Sequence, residues 1–362
     1  MNERKLLRVL VLASSVAIVS LVAATLVGAA PPTTYQIEHL VSDGSVPSES
    51  LDPQLRNAWG LAAAPNSPWW VTSNAVDLSV LYDGEGVAQP LVVDVPGAPT
   101  GIVYNGGPSF LVSDGVNSGP AVFLFAGAEG TISAWSPGVP PPAPSTQAIV
   151  AVDNSAANVS YTGLAIASTL LGERLYAADF RNRKVDVFDG AFAAVTTPGG
   201  FVDPRLPDEF SPFGIQNLNG RIVVSYAKLG PEGTKVDGQG LGIVNVFDTE
   251  GTLLARAATR GQLNAPWGMA IAPASFGEAG GRLLVSNSGD GKILMLEMSD
   301  DMLSFHPAGV LRGTDRLPIV IEGIRGIGFG NGQGSGSLDT LYFASGPNQG
   351  EGGAFGRIDL GP

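Results

Sequence analysis

The sequence predicts an all-β fold, a six-bladed β-propeller, from three observations: a repeat of about fifty residues, strands in place of helices, and abundant turn residues. The repeat is followed by the Gly just inside the first strand of each unit, at Gly60, Gly101, Gly163, Gly214, Gly268 and Gly326. The spacings are 41, 62, 51, 54 and 58 residues, the length of one four-stranded blade. From Tyr35 onward short apolar runs alternate with turns, and no 3.6-residue stripe emerges. The 49 Gly and 27 Pro fall in no three-residue period, so they read as tight turns rather than collagen.

Within a unit, the first strand follows the Gly and the second is again recurrent. It reads Trp70–Asn74, Leu175–Asp179, Ile222–Tyr226, Leu283–Asn287 and Leu341–Ser345. Third strands end on an apolar or aromatic residue, at Leu81-Tyr82, Val187-Phe188, Val246-Phe247 and Met295-Leu296. In the second unit these strands fall at Val122–Phe125 and Thr131–Trp135, which makes Phe110–Asp114 an insertion and accounts for the 62-residue spacing. The last unit shows only three strands. The orphan segment Tyr35–Val41 is expected to supply the fourth, closing the ring by pairing the N-terminal strand with the last blade. The proline tract Pro137–Pro144 and the Gly-rich stretch 328–337 are expected as surface loops. The latter lacks the Lys-Ser/Thr of a phosphate-binding loop.

Residues 1–30 carry Arg4, Lys5 and Arg8, an apolar run from Val9 to Val27, and small residues at 28–30. That order describes a signal peptide, followed by a single propeller domain over 31–362. An uncleaved anchor is the alternative, because 19 apolar positions approach spanning length. The expectation is a secreted or periplasmic, extracytoplasmic protein, with a membrane involved only through a retained leader.

The 44% hydrophobic and 15% charged content supports a large core. The net charge is −13, and without Glu3, Arg4, Lys5 and Arg8 it becomes −15, from 17 basic and 32 acidic residues. Such a surface repels phosphate backbones, which argues against nucleic acid as a partner. There is no Cys, which excludes thiolate metal sites and a Cys nucleophile. With only His39 and His306, and no Gly-x-Ser-x-Gly or His-Glu-x-x-His, no catalytic set can be assembled.

Strand parity selects a candidate face. In an antiparallel blade the first strand begins where the second ends, so residues at those two places gather. They are Asn57, Trp59, Asn74, Asp77, Glu129, Asp179, Arg181, Asn264, Trp267, Asn287, Asp290 and Arg325. Polar groups converging on a central channel make the default ligand site. Asp77, Glu129, Asp179 and Asp290 are the metal candidates, with Ca²⁺ the cofactor left open, because it takes six to eight oxygens. Against this stands turn chemistry, for which Asn and Asp are the ordinary residues. Trp59 and Trp267 read first as packing between blades and second as a ligand platform. Arg325 reads first as the partner of an acidic neighbour and second as a grip on an anion.

The unit Leu175-Tyr-Ala-Ala-Asp179 through Asp189 resembles the core of an NHL repeat. Asn57-Ala-Trp-Gly-Leu, Pro99-Thr-Gly-Ile-Val-Tyr-Asn, Glu129-Gly-Thr-Ile-Ser-Ala-Trp, Tyr161-Thr-Gly-Leu-Ala-Ile-Ala and Asn264-Ala-Pro-Trp-Gly-Met-Ala span most of the exported portion. Together they resemble an uncharacterised bacterial family of secreted propellers, some members of which carry a PEP-CTERM sorting tail that Arg357–Pro362 lacks. The resemblance implies a six-bladed propeller and export, and it carries no activity. Two functions stay open. The first is a non-catalytic propeller binding a protein, polysaccharide or small ligand on one face. The second is a Ca²⁺-dependent hydrolase similar to gluconolactonase, which the Gly-Leu-Ala and Gly-Met-Ala inner strands disfavour. A quinoprotein sugar dehydrogenase needs a channel His that neither His39 nor His306 supplies.

Overall fold

A computed structural model describes residues 33–362. The leader expected over 1–30 lies outside the described residues. Six antiparallel sheets follow one another around a ring. Blade 1 contains Ala58–Ala62, Trp69–Ser73, Leu78–Tyr82 and Ala88–Asp94, from the channel outward. Blade 2 contains Pro99–Tyr104, Phe123–Gly127, Thr131–Trp135 and Ile149–Asp153. Blade 3 has Tyr161–Thr169, Gly172–Asp179, Lys184–Asp189 and Ala194–Val195. In blade 4 Phe210–Leu218, Arg221–Leu229, Gly242–Phe247 and Leu253–Thr259 are joined by the short Lys235–Val236. Blade 5 runs through Pro266–Ile271, Leu283–Asn287, Ile293–Met298 and Phe305–Val310.

Blade 6 draws Ile324–Phe329, Leu341–Ser345 and Ala354–Leu360 from the C-terminal end and Tyr35–Ser42 from the N-terminal side. Tyr35 pairs Leu360 and Ser42 pairs Ala354, so the ring closes as the orphan segment predicts. Phe110 is buried beneath a small hairpin, Leu111–Ser113 with Ser118–Pro120, which is the insertion expected in unit two. The proline tract lies between the third and fourth strands of blade 2, with Pro141, Pro142 and Pro144 exposed. One expectation needs correcting. Gly328 and Phe329 belong to the inner strand of blade 6, and the Gly-rich loop begins only after them. Gly328 pairs with Tyr342, so the strand ladder continues two residues into the Gly-rich stretch.

The second strands read as continuous apolar runs because both of their faces are buried. Trp69 and Val71 pack toward blade 6, while Trp70 between them packs toward blade 2. Leu284 faces blade 6, and its neighbours Leu283 and Val285 face blade 4. The core is therefore a set of separate layers, one between each pair of adjacent blades.

The six recurrent glycines mark where those blades come closest. A Cβ at any of Gly60, Gly101, Gly163, Gly214, Gly268 or Gly326 would fall 3.1 Å or less from the next blade. The obstacle nearest to each is backbone, so the neighbour cannot swing aside. Hydrogen bonds run around the same circle. Thr72 Oγ1 donates to the Thr100 carbonyl (2.8 Å), Thr100 Oγ1 to Tyr161 (2.8 Å) and Thr162 Oγ1 to Phe213 (2.7 Å). Ser225 Oγ donates to the Trp267 carbonyl (3.4 Å) and Ser286 Oγ to Arg325 (2.6 Å). In blade 6 the position matching Thr72 and Ser286 is Ala344, which has no hydroxyl. There Arg325 Nη1 reaches the Ala58 carbonyl at 3.1 Å and completes the circle.

Two outcomes are expected. Gly268→Ala drives a methyl into the Arg325 carbonyl and should cost at least about 2 kcal/mol in denaturant unfolding. Gly138→Ala, with nothing within 4 Å of the added carbon, should be near neutral. Equal midpoints for the two would refute the close-approach argument. The second concerns His39 on the closing strand, whose ring meets Phe343 edge-on at 5.4 Å. Burial holds its pKa below the usual 6.5. The unfolded chain then takes up the proton first as pH falls, and stability drops through the window below 6.5. His39→Gln should remove that part of the pH dependence of thermal unfolding and leave the remainder.

Candidate functional site

The upper face is defined here as the side where inner strands begin and second strands end. The pairs Ala58 with Ser73, Tyr161 with Asp179, Pro266 with Asn287 and Ile324 with Ser345 set that end in four blades. All twelve candidate residues lie at this end, yet most are occupied locally. Asn57 and Asp77 adopt positive φ (50° and 55°), and Asp77 Oδ1 accepts the Ala98 amide at 2.7 Å. Asn57 Nδ2 donates to Asn74 Oδ1 (2.9 Å), and Asn74 Nδ2 donates to the Ala98 carbonyl (2.9 Å). Asn287 Nδ2 donates to the Gln262 carbonyl and to Asp290, and Asn287 Oδ1 accepts the Asn264 amide. Asn264 Oδ1 accepts Gly238 N at 2.7 Å. These are the bonds of turns and blade junctions.

The four carboxylates do not converge. Asp77 and Glu129 are exposed, and Asp290 bonds Lys292 Nζ at 3.0 Å. Asp179 is fully buried and accepts from Ser160 N, Asn182 N and Asn182 Nδ2. Burial pushes its pKa up against those bonds. Arg181, at the same turn, donates to Asn158 at the surface. Among the described residues no three His, Asp or Glu side chains form a set that could hold a metal ion. The four carboxylates therefore provide no shared Ca²⁺ site among the described residues: Asp179 and Asp290 bond within their own turns, Asp77 holds the Ala98 amide at the entrance to blade 2, and Glu129 is exposed.

Trp59, Trp267 and Arg325 do come together, at the upper end of the channel. The Trp59 ring lies edge-on to Trp267 at 6.0 Å and to Phe213 at 5.9 Å, and Phe213 meets Phe180 at 5.1 Å. Trp267 Nε1 spans from blade 5 to the Thr162 carbonyl of blade 3 (2.8 Å). The guanidinium carbon of Arg325 sits 4.2 Å from the Trp59 ring centroid, a cation–π contact. Phe213 was not singled out from sequence, although it precedes Gly214 as Trp59 precedes Gly60. That equivalence was the available signal.

Arg325 departs from its first reading. Among the described residues it forms no direct ion pair; burial, the larger effect, lowers its pKa to about 9 against the opposing pull of the nearby Asp237 carboxylate, which leaves it a cation at neutral pH. It is 7% exposed, its Nη1 is used by the Ala58 carbonyl, and its Nε has no partner. Asn57 Oδ1 and Trp59 Nε1 are also buried without partners. Arg325 lines a cleft of about 820 Å³ across blades 4, 5 and 6, together with Lys235, Asp237, Asp290, Glu322 and Gln349. Lys235 pairs with Asp237, and burial lowers the pKa of its ammonium. The lower mouth, about 410 Å³, is different. It is lined by Leu61, Ile102, Leu164 and Phe329, and the side chains of Gln216 and Asn331 are engaged by backbone.

Blade order, closure and channel define the chain as a six-bladed β-propeller. No family model matches it. It is 34% identical over 308 residues to uncharacterized protein L690 of Acanthamoeba polyphaga mimivirus, covering 81% of this chain and 78% of that one. Uncharacterized protein R648 of the same virus is 30% identical over 308 residues, covering 82% and 74%. The chain belongs to the family of these two proteins. Both relatives are viral and neither supports a bacterial origin or a PEP-CTERM tail.

Solved propellers share the architecture. A protein of unknown function from Bacteroides thetaiotaomicron superposes with a TM-score of 0.56 at 12% identity, covering 91% of this chain and 76% of that one. The soluble aldose sugar dehydrogenase of Escherichia coli gives 0.54 at 14% identity, covering 90% and 99%. Virginiamycin B lyase from Staphylococcus aureus, bound to quinupristin, gives 0.50 at 14% identity, covering 91% and 99%. At such identities the likeness is one of fold.

Proposed function

We propose that this chain is an exported, non-catalytic binding propeller whose upper-face cleft receives an anionic group, a carboxylate, from a small ligand, protein or polysaccharide. One observation carries the reading: Arg325 is a buried cation with no direct ion pair among the described residues, only the through-space attraction of Asp237, at the wall of a cleft large enough for a ligand. A buried charge is costly unless paired, and an incoming carboxylate would supply the missing partner in charge-assisted, two-point geometry. The unpartnered donors Arg325 Nε and Trp59 Nε1 add to the local demand for an acceptor. Asp237, Asp290 and Glu322 around the cleft favour a singly charged group over phosphate. Export rests on the leader alone, and N-terminal sequencing of protein recovered outside the cell should begin near residue 31.

Titration of the purified chain with acetate, glycolate and glucuronate, followed by calorimetry, tests the site. At least one should bind, and Arg325→Met should weaken it roughly tenfold or more, the scale of a lost charge-assisted hydrogen bond. Arg325→Lys keeps the charge without the fork and should fall between the two. Unchanged affinity in Arg325→Met would remove the proposal.

A further inference from the structure

The buried polar atoms without partners fall into two groups and one isolated Ser45 Oγ. The first group surrounds Arg325. The second lies elsewhere, at the junction of blades 3 and 4: Tyr226 Oη, Asn245 Oδ1 and Arg256 Nε. Tyr226 is 2% exposed, and its ring packs in the apolar layer between these two blades. Asp203, in the connection from blade 3 to blade 4, is the centre of the cluster. Its Oδ2 accepts from Asn245 Nδ2 at 2.9 Å and from Arg256 Nη2, and its Oδ1 accepts the Arg205 amide at 2.9 Å.

Tyr226 and Asp203 both line a cavity of about 480 Å³, and Asn245 and Arg256 stand behind them. Phe210 and Lys184, which begin the inner strand of blade 4 and the third strand of blade 3, also line it, placing it at the upper end of those blades. The remaining wall sets the apolar Phe201, Leu206 and Val185 beside the charged Arg183, Lys184 and Asp208. The cavity is thus amphiphilic, with an apolar side at Phe201 and a buried polar end at Tyr226 and Asp203.

The chemistry of that polar end selects a ligand class. Asp203 and Arg256 cancel one another, so the end is neutral overall. Its unpartnered atoms include an acceptor (Asn245 Oδ1), a donor (Arg256 Nε) and a hydroxyl capable of both (Tyr226). A carboxylate only accepts and would meet the Asp203 charge. An ammonium only donates and would meet Arg256. Hydroxyl groups donate and accept together without charge, and the C–H face of a sugar ring suits an apolar wall.

We propose that this groove binds one ring of a neutral sugar, with its hydroxyls directed at Tyr226 and Asp203 and its apolar face against the Phe201 side. The proposal does not depend on the Arg325 cleft, which is a separate site for a charged group.

The test is ligand-observed saturation-transfer NMR on the whole chain with glucose, galactose and mannose, each alone. At least one should receive transfer and give a measurable dissociation constant. Tyr226→Phe should weaken it about tenfold, because a site built around a hydroxyl loses most when that hydroxyl is removed. Saturating acetate should leave sugar binding unchanged, which separates this groove from the cleft. Absence of transfer to all three hexoses, or equal affinity in Tyr226→Phe, would overturn the assignment.

Discussion

Everything in this ring depends on how closely the six inner strands approach one another. The close approach requires glycine for a spatial reason, the absence of a Cβ, and places backbone of one blade against backbone of the next. Hydroxyls then reach the neighbouring carbonyls at little geometric cost, at about 1 kcal/mol net each. Five junctions use Ser or Thr, and the sixth uses Arg325. The layers of Val, Leu and aromatic residues farther out depend on this spacing, because they fill gaps whose width the inner circle sets.

The same circle shapes the channel. The residue before each glycine sits at the upper end, and its identity divides the ring into sectors. Blades 1, 4 and 5 place Trp59, Phe213 and Trp267 there and fill the channel with rings. Blades 2 and 3 place Thr100 and Thr162, which serve as latches. Blade 6 places a guanidinium that latches with one nitrogen, stacks on Trp59, and lines the cleft. A ring latch and a cleft wall thus meet in one side chain, at the blade that is also closed by the N-terminal strand.

Much of the architecture was legible in the chain itself. Glycine spacing identified six units, and the missing strand of the last unit pointed to Tyr35–Val41, because local turn chemistry and strand composition repeat with the blade. The choice of Phe110–Asp114 as an insertion also holds. The site was legible only in part. Parity places all twelve residues at one end of the ring, as they lie in the structure, but parity says nothing about which side chains are already engaged. Asn74, Asp77, Asn264 and Asn287 are consumed by blade junctions, and Asp179 and Asp290 by their own turns. Lys235, Glu322 and Gln349 join the cleft without any local sequence signal.

Sequence alone determined the six-bladed ring, the closing strand and the face at which polar residues collect. Those properties follow from short-range patterns: period-two burial, turn residues and one glycine per unit. Tertiary structure decided that the four carboxylates stay apart, that Phe213 joins Trp59 and Trp267, and that Arg325 is left without a direct ion pair. It also decided that Tyr226, Asn245 and Arg256 keep atoms unpartnered beside a cavity. Those outcomes depend on distances between blades far apart in the chain, such as the 267 residues separating Ala58 from Arg325. No local pattern encodes such a distance.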